Sequence, residues 1–339
     1  DTLAAVGISM ADVAGELLED GLVLFSEAFD RLLGVVDTRC ARPDFTMINR
    51  QTSSLPPTLA TAVKRSLKSW ATAGKVRRLW ARDSSIWSKS DEAQWLGWLD
   101  ITERQLDRSS ELESIARDVR EAGFTHVLLL GMGGSSLAPE VFATTFGASA
   151  GAPILHVLDS TDPAQVRTFE NKVPLATTLF VVSSKSGSTL EPNIFKQYFF
   201  DRVAREVGSS EAGKRFIAIT DPGSKMQQVA ERDRFRHIFY GLPTIGGRYS
   251  ALSNFGMAPG AAMGLDVEKF LNRTEQMVKA CKATTVADNP GVMLGLGLPV
   301  MTWVHDVRIA LPLLLLIGAV GGGMVVPMNA LLQHRGCAL

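Results

Sequence analysis

The sequence predicts an α/β fold, a doubly wound parallel sheet with helices on both faces, and three observations carry that expectation. From Thr125 onward, short apolar runs alternate with longer helix-forming segments. The first four runs are apolar on both faces, as parallel strands covered on both sides must be. Two of them end in small-residue turns, Gly131-Met-Gly-Gly-Ser-Ser and Ser183-Ser-Lys-Ser-Gly-Ser-Thr. Strand, Gly-rich turn and helix N-terminus together present unpaired amide N–H groups and a helix dipole to an anion.

Elements follow in chain order. Asp1 to Asp37 reads as an amphipathic helix: Ser9 and Asp12 resemble a capping box, and Val13, Leu17, Phe25, Phe29, Leu32 and Val36 keep helical spacing. Thr38 to Pro57 is polar and Pro-containing, a linker. Thr58 to Ala122 reads as helical. Its tryptophans, Trp70, Trp80, Trp87, Trp95 and Trp98, are expected as core and packing residues rather than a stacking platform, because no basic groove accompanies them at strand spacing. Ser109 opens a helix that stops at Gly123. Strands are predicted at Val127–Leu130, Ile154–Leu158, Leu179–Val182, Phe216–Ile219 and His237–Phe239, with crossover helices in Pro192–Val207 and Lys225–Arg232. Ala258 to Leu298 packs as helices. The uncharged run Ile309 to Leu332 is long enough for a membrane helix or a buried one, although Pro312, Pro327 and Gly321–Gly323 weaken both.

The totals bound the function. With 339 residues, more than one unit is expected. Lys plus Arg and Asp plus Glu both number 35, so nothing global points to nucleic acid, and Lys75, Arg77, Arg78 and Arg82 read as a solvated helix face. Cys40, Cys281 and Cys337 are isolated, without CxxC or metal spacing, which fits free thiols in the cytoplasm and no metal. No signal peptide is visible, and the start at Asp1 without Met leads one to expect a fragment.

Chemistry concentrates in the turns. Gly131-Met-Gly-Gly-Ser-Ser can be read as a dinucleotide fingerprint with Asp159 ending the next strand, but Ser136 replaces the third glycine, and a tight turn that binds nothing competes with that reading. The second turn shifts the balance. Ser184, Ser186, Ser188 and Thr189 bring hydroxyls beside backbone amides and Lys185 brings a positive charge, the donors a phosphoryl group needs. Gly246-Gly-Arg-Tyr-Ser carries Arg248, which either stabilises charge developing on a substrate oxygen or pairs with a surface carboxylate.

Four stretches, Gly-Met-Gly-Gly-Ser-Ser-Leu-Ala-Pro-Glu, Ser-Ser-Lys-Ser-Gly-Ser-Thr-Leu-Glu-Pro, Ile-Thr-Asp-Pro-Gly-Ser and Gly-Gly-Arg-Tyr-Ser-Ala-Leu-Ser, resemble the glucose-6-phosphate isomerase family, in family order, over roughly Thr38 to Leu298. The resemblance implies a sugar-isomerase (SIS) domain, a hexose 6-phosphate substrate, no cofactor and a homodimer. It implies that Gly134 and Ser135 line the sugar, that Ser184, Ser186 and Thr189 hold the phosphate, that Lys185 lies beside it, and that Arg248 faces the enediol. Isomerisation also needs a general base. In the family that base is a Glu in a later Glu-Ser-x-Gly-Lys type motif, with a His and a C-terminal Lys; none of these motifs is present, so the chain is expected to bind sugar phosphate without isomerising it. The alternative is a non-catalytic SIS-type binding module.

Two flanks depart from that pattern. Val13 to Leu33 resembles the C-terminal helix of transaldolases, without the Schiff-base lysine, as in natural transaldolase–isomerase fusions. Pro299 to Gly336 resembles a short piece of a lysophospholipid transporter, which implies a chimeric join near Leu298 and a membrane partner only if that tail is genuine. The expected division is therefore 1–37 transaldolase-like helix, 38–122 helical part of the isomerase, 123–298 SIS domain and 299–339 apolar tail.

Overall fold

A computed structural model describes residues 55–293 together with 295, all within one compact unit that begins at Gln51. The transaldolase-like helix and the apolar tail lie outside these residues. Five strands form one parallel sheet: β1 (His126–Gly131), β2 (Ile154–Leu158), β3 (Thr178–Ser183), β4 (Phe216–Thr220) and β5 (His237–Tyr240), in the order β2-β1-β3-β4-β5. Each contains the apolar run read from the sequence. In register, Leu130 lies between Leu158 and Val182, and Gly131 is level with Ser183. The chain winds outward to β2, then returns past β1 to β3, so the order reverses between β1 and β3. A crevice beyond the strand ends at such a reversal is where open α/β sheets bind ligands.

Helices cover both faces. On one lie α4 (Ser109–Glu121), α5 (Leu137–Phe146), α9 (Asn254–Ala262) and α10 (Val267–Cys281), packed on Val127, Leu129, Leu179, Val181, Ile217 and Ile219. On the other lie α6 (Pro163–Lys172), α7 (Leu190–Val207) and α8 (Lys225–Arg232), packed on Leu128, Leu130, Phe180, Val182, Phe216 and Ala218. Alternate side chains thus enter opposite cores, which is why the strands are apolar throughout. Leu128, Leu129, Phe180 and Phe216 are almost wholly buried, each contributing roughly 1.5–3 kcal/mol through burial.

Ahead of the sheet, α1 (Pro57–Thr72) turns at Ala73–Gly74 into α2 (Lys75–Trp80), and two 3₁₀ segments, Ser84–Ile86 and Glu92–Leu99, lead to α3 (Ile101–Leu106), so the region is not one continuous helix. The tryptophans pack, but not in the core. None of the five is buried, and Trp87 and Trp95 are exposed. Their indoles are spent on rims: Trp80 Nε1 donates to Cys281 O at 3.0 Å, and Trp70 and Trp80 flank the small cluster of Val76, Val286 and Val292. The basic cluster is solvated as expected, with Arg78 paired to Asp83 and Arg82 to Asp100. Among the described residues, no helix is long and apolar enough to cross a membrane.

Candidate functional site

Beyond the ends of β1 and β3, three loops come together. After β1, the backbone turns at Gly133, whose φ of 55° favours glycine, and α5 begins at Leu137. Ser183, at the end of β3, donates from its hydroxyl to Ser135 O at 3.0 Å and ties this first loop to the second. Ser250 donates to Gly134 O at 2.9 Å and ties it to the third. Gly134 leaves no room for a side chain, since a Cβ there would overlap the Gly247 carbonyl and stand 2.6 Å from Gly247 C.

The second loop runs from Ser184 to Thr189. Its base is pinned to β4, where Ser184 N–H donates to Ile219 O and Asp221 N–H to Lys185 O, both at 3.0 Å. Gly187, at φ 67°, presses against the backbone of Met226. Asn193 folds back from the first turn of α7 and donates to Gly187 O at 3.1 Å and Thr189 O at 2.7 Å. The exposed rim is made of hydroxyls: Ser186 Oγ lies 2.8 Å from Ser188 Oγ, and Thr189 stands at the N-cap of α7.

The helices behind the loops differ in one respect that matters. Those following β2, β4 and β5 are closed by side-chain caps: Asp162 accepts from Ala164 and Gln165, Ser224 from Gln227, and Ser253 from Phe255. The two that follow β1 and β3 have no side-chain cap, although Ser136 and Thr189 stand at their cap positions. Ser136 instead donates to Gly133 O, and the Thr189 hydroxyl makes no hydrogen bond among the described residues. The amides at the two helix starts that flank the crevice therefore remain available to an anion.

The sequence-predicted residues divide accordingly. Gly134 and Ser135 lie on the first loop and Ser186 and Thr189 on the second, the two loops being tied by Ser183 to Ser135 O. Arg248 lies on the third loop, in the one-turn 3₁₀ helix Gly247–Tyr249; it is exposed and forms no ion pair among the described residues, so the surface-pairing reading of its role is not what the structure holds. Two residues have surroundings that the motifs do not announce. Lys185 forms an ion pair with Asp221, beyond the end of β4, and its ammonium also lies 3.4 Å from both Leu242 O and Pro243 O on the third loop. Ser184 is 2% exposed and its hydroxyl has no partner among the described residues, which removes it from the loop surface.

Sequence reading missed the residues that hold the site together. Ser183, Asp221 and Ser250 all fall within or beside the motifs, yet nothing in their spacing announces cross-loop bonds. Glu140, in the first turn of α5, was also missed; burial, and then the charge of Asp159, pushes its carboxyl above the usual range. Among the described residues no group of three His, Cys, Asp or Glu could hold a metal ion.

Comparison with known proteins gives the same direction. The phosphoglucose isomerase family matches residues 116–310, over half of the chain. The chain is similar to the glucose-6-phosphate isomerase of Prochlorococcus marinus, 35% identical over 176 residues covering 51% of this chain and 33% of that one. It is likewise similar to that of Thermosynechococcus vestitus, 34% identical over 237 residues covering 61% and 43%. The probable glucose-6-phosphate isomerase of Methanococcus maripaludis is 27% identical over 201 residues, covering 58% and 44%. The chain thus spans a third to under half the length of these relatives. Among solved structures, a hypothetical protein from Thermus thermophilus superposes with a TM-score of 0.58 at 25% identity, covering 72% of this chain and 57% of that one. A glucose-6-phosphate isomerase from Chlamydia trachomatis superposes at 0.52 and 23% identity, covering 68% and 42%, a likeness of fold. With over half its length matched, the chain belongs to the phosphoglucose isomerase family.

Proposed function

We propose that this chain carries the sugar-phosphate-binding half of a glucose-6-phosphate isomerase site, and that its 339 residues alone bind hexose 6-phosphate without isomerising it. One observation carries the reading: of the five helices that follow strands, the two at the β1/β3 reversal are those left without side-chain caps. A phosphoryl group seated there would accept from the start of α7 and from Ser186 and Thr189. The sugar would extend along Gly134 and Ser135 toward Arg248, which would stabilise charge on the enediolate oxygens. Ser184 would support the loop from beneath, and Lys185, through Asp221, would hold the loops in register. Aldose–ketose exchange moves a proton between adjacent carbons and needs a base; these residues supply binding and charge.

A non-catalytic sugar-phosphate-binding module is the second reading, favoured by the pairing of Lys185 with Asp221. Cytoplasmic placement, the transaldolase-like front, the transporter-like tail and assembly as a dimer belong to the same proposal. Thermal-shift titration with fructose 6-phosphate, glucose 6-phosphate and NAD tests it, because a ligand that binds only the folded state raises its stability. Sugar phosphates should stabilise the chain, NAD should not, and the Ser186→Ala/Thr189→Ala double variant should lose the response. Stabilisation by NAD alone would refute the reading, and turnover of glucose 6-phosphate by the purified chain would refute its binding-only half.

A further inference from the structure

We propose that Trp98 is a positioning residue for Arg248, acting through the ring of Tyr249; the inference rests on the hexose-phosphate reading above. Arg248 has no ion-pair partner among the described residues, so its place is set by the backbone on either side. On one side, Gly247 is packed against Gly134, and Ser250 binds both Gly134 O and Gly247 O. On the other side stands Tyr249, 58% exposed, whose hydroxyl makes no hydrogen bond among the described residues. Its ring stacks on Trp98, with centroids 5.7 Å apart and planes 19° from parallel.

Trp98 is itself anchored. It belongs to the 3₁₀ segment Glu92–Leu99, in which Leu96, Gly97 and Leu99 are buried. Gly97 N–H donates to Thr244 O at 3.1 Å, and a Cβ on Gly97 would overlap the Thr244 side chain and stand 3.0 Å from Ile245 Cγ1. Ile245 is 2% exposed, so the start of the third loop is fixed on this segment. The segment clamps the loop at Thr244–Ile245 through backbone and at Tyr249 through the aromatic stack, and Arg248 lies between that stack and the Gly134 contact. Two planar rings lose little freedom on stacking, so the stack is an inexpensive means of ordering an otherwise exposed turn.

The test uses the full chain with Trp98→Phe, Trp98→Leu and Trp98→Ala, each alone and with Arg248→Ala. Without ligand, the rate of tryptic cleavage after Arg248 reports opening of the turn. Loss of the stack should raise it about 2- to 10-fold in the Leu and Ala variants, while Phe, which keeps a ring, stays near wild type. Cleavage within α10 serves as the reference for general unfolding and should stay constant. With fructose 6-phosphate, Trp98→Leu should weaken the thermal-shift response by a similar factor when Arg248 is present and add nothing once Arg248 is alanine. A purely structural Trp98 would raise cleavage at all sites together and weaken binding equally in both backgrounds; either result overturns the proposal. A wild-type chain indifferent to fructose 6-phosphate would overturn the functional reading alone, and the cleavage comparison would then decide the role of Trp98.

Discussion

Replacing Gly134 by alanine should be the most damaging single-methyl change in the site. The added carbon would overlap the Gly247 carbonyl oxygen and stand 2.6 Å from Gly247 C and 3.1 Å from Gly247 Cα. All three opposing atoms are backbone, so no side-chain rotation relieves the overlap, and the loops must part by about 1 Å to reach ordinary carbon contact. Overpacking of this kind costs roughly 1–3 kcal/mol. Separation also breaks the bond from Ser250 to Gly134 O, worth about 1 kcal/mol more. In a unit of this size, a loss of about 2–4 kcal/mol lowers the melting temperature by roughly 4–16 °C. Gly133→Ala is the control: its φ is 55°, but a Cβ there meets nothing within 4 Å, so it carries only the backbone penalty of about 1–2 kcal/mol. Thermal unfolding followed by far-ultraviolet circular dichroism should rank wild type above Gly133→Ala and Gly133→Ala above Gly134→Ala. If Gly134→Ala melts with or above Gly133→Ala, the two loops are not in the contact described.

Three further outcomes follow from the same geometry. Thr189→Asp supplies the side-chain cap that α7 lacks, so it should raise stability by about 0.5–1 kcal/mol in urea unfolding while abolishing the sugar-phosphate thermal shift; an unchanged shift would mean that the helix start holds no anion. Lys185→Met leaves Asp221 without its cation and should cost roughly 1–3 kcal/mol, discounted from a fully buried pair because both side chains keep some exposure; a shift in urea midpoint below experimental error would show that the pair contributes nothing. Burial, then the charges of Lys172 and His126, holds the His156 imidazole down at about 4 from an ordinary 6.5, so the folded state resists its proton, and the stability that neutral His156 confers is lost as pH falls from about 6.5 toward 4. Allowing for partial exposure, that loss is on the order of 1–2 kcal/mol; His156→Leu should flatten the stability–pH curve in this window relative to wild type, and parallel curves would refute the assignment.

What could be read from the sequence and what could not follows from the range of the forces involved. Val127–Leu130 and Leu179–Val182 are legible because burial on two faces constrains every residue of a strand, and composition records it. The turns at Gly131–Ser136 and Ser184–Thr189 are legible because positive φ and short hydroxyl side chains are local requirements. Ordering β2 outside β1 is not local, nor is the reach of Asp221 to Lys185 across 36 positions. Trp98 misled for a related reason: its size says buried, whereas its role depends on a tyrosine, Tyr249, far along the chain that only the fold brings near. A lysine between two serines likewise reads as a free positive charge, and only the neighbouring strand's exit shows the carboxylate paired with it.

That carboxylate changes how the site must attract an anion. With Lys185 neutralised by Asp221, the second loop brings hydroxyls and amides but no net side-chain charge of its own, and Glu191 in the first turn of α7 opposes an incoming phosphoryl group. What remains is the partial positive charge of two uncapped helix starts, each equivalent to roughly half an elementary charge, and the guanidinium of Arg248. The first acts only within a turn of the helix and needs the ligand already seated. The second is exposed and depends on its backbone being held. If the chain binds sugar phosphate as proposed, its affinity would depend less on how many cations the motifs contain than on how rigidly the three loops are clamped: Ser183 to Ser135, Ser250 to Gly134, and Lys185 to the carbonyls of Leu242 and Pro243. On the proposed reading, Lys185 would serve the site by joining loops, and the charge meeting a sugar phosphate would come from Arg248, carried on a different strand's exit.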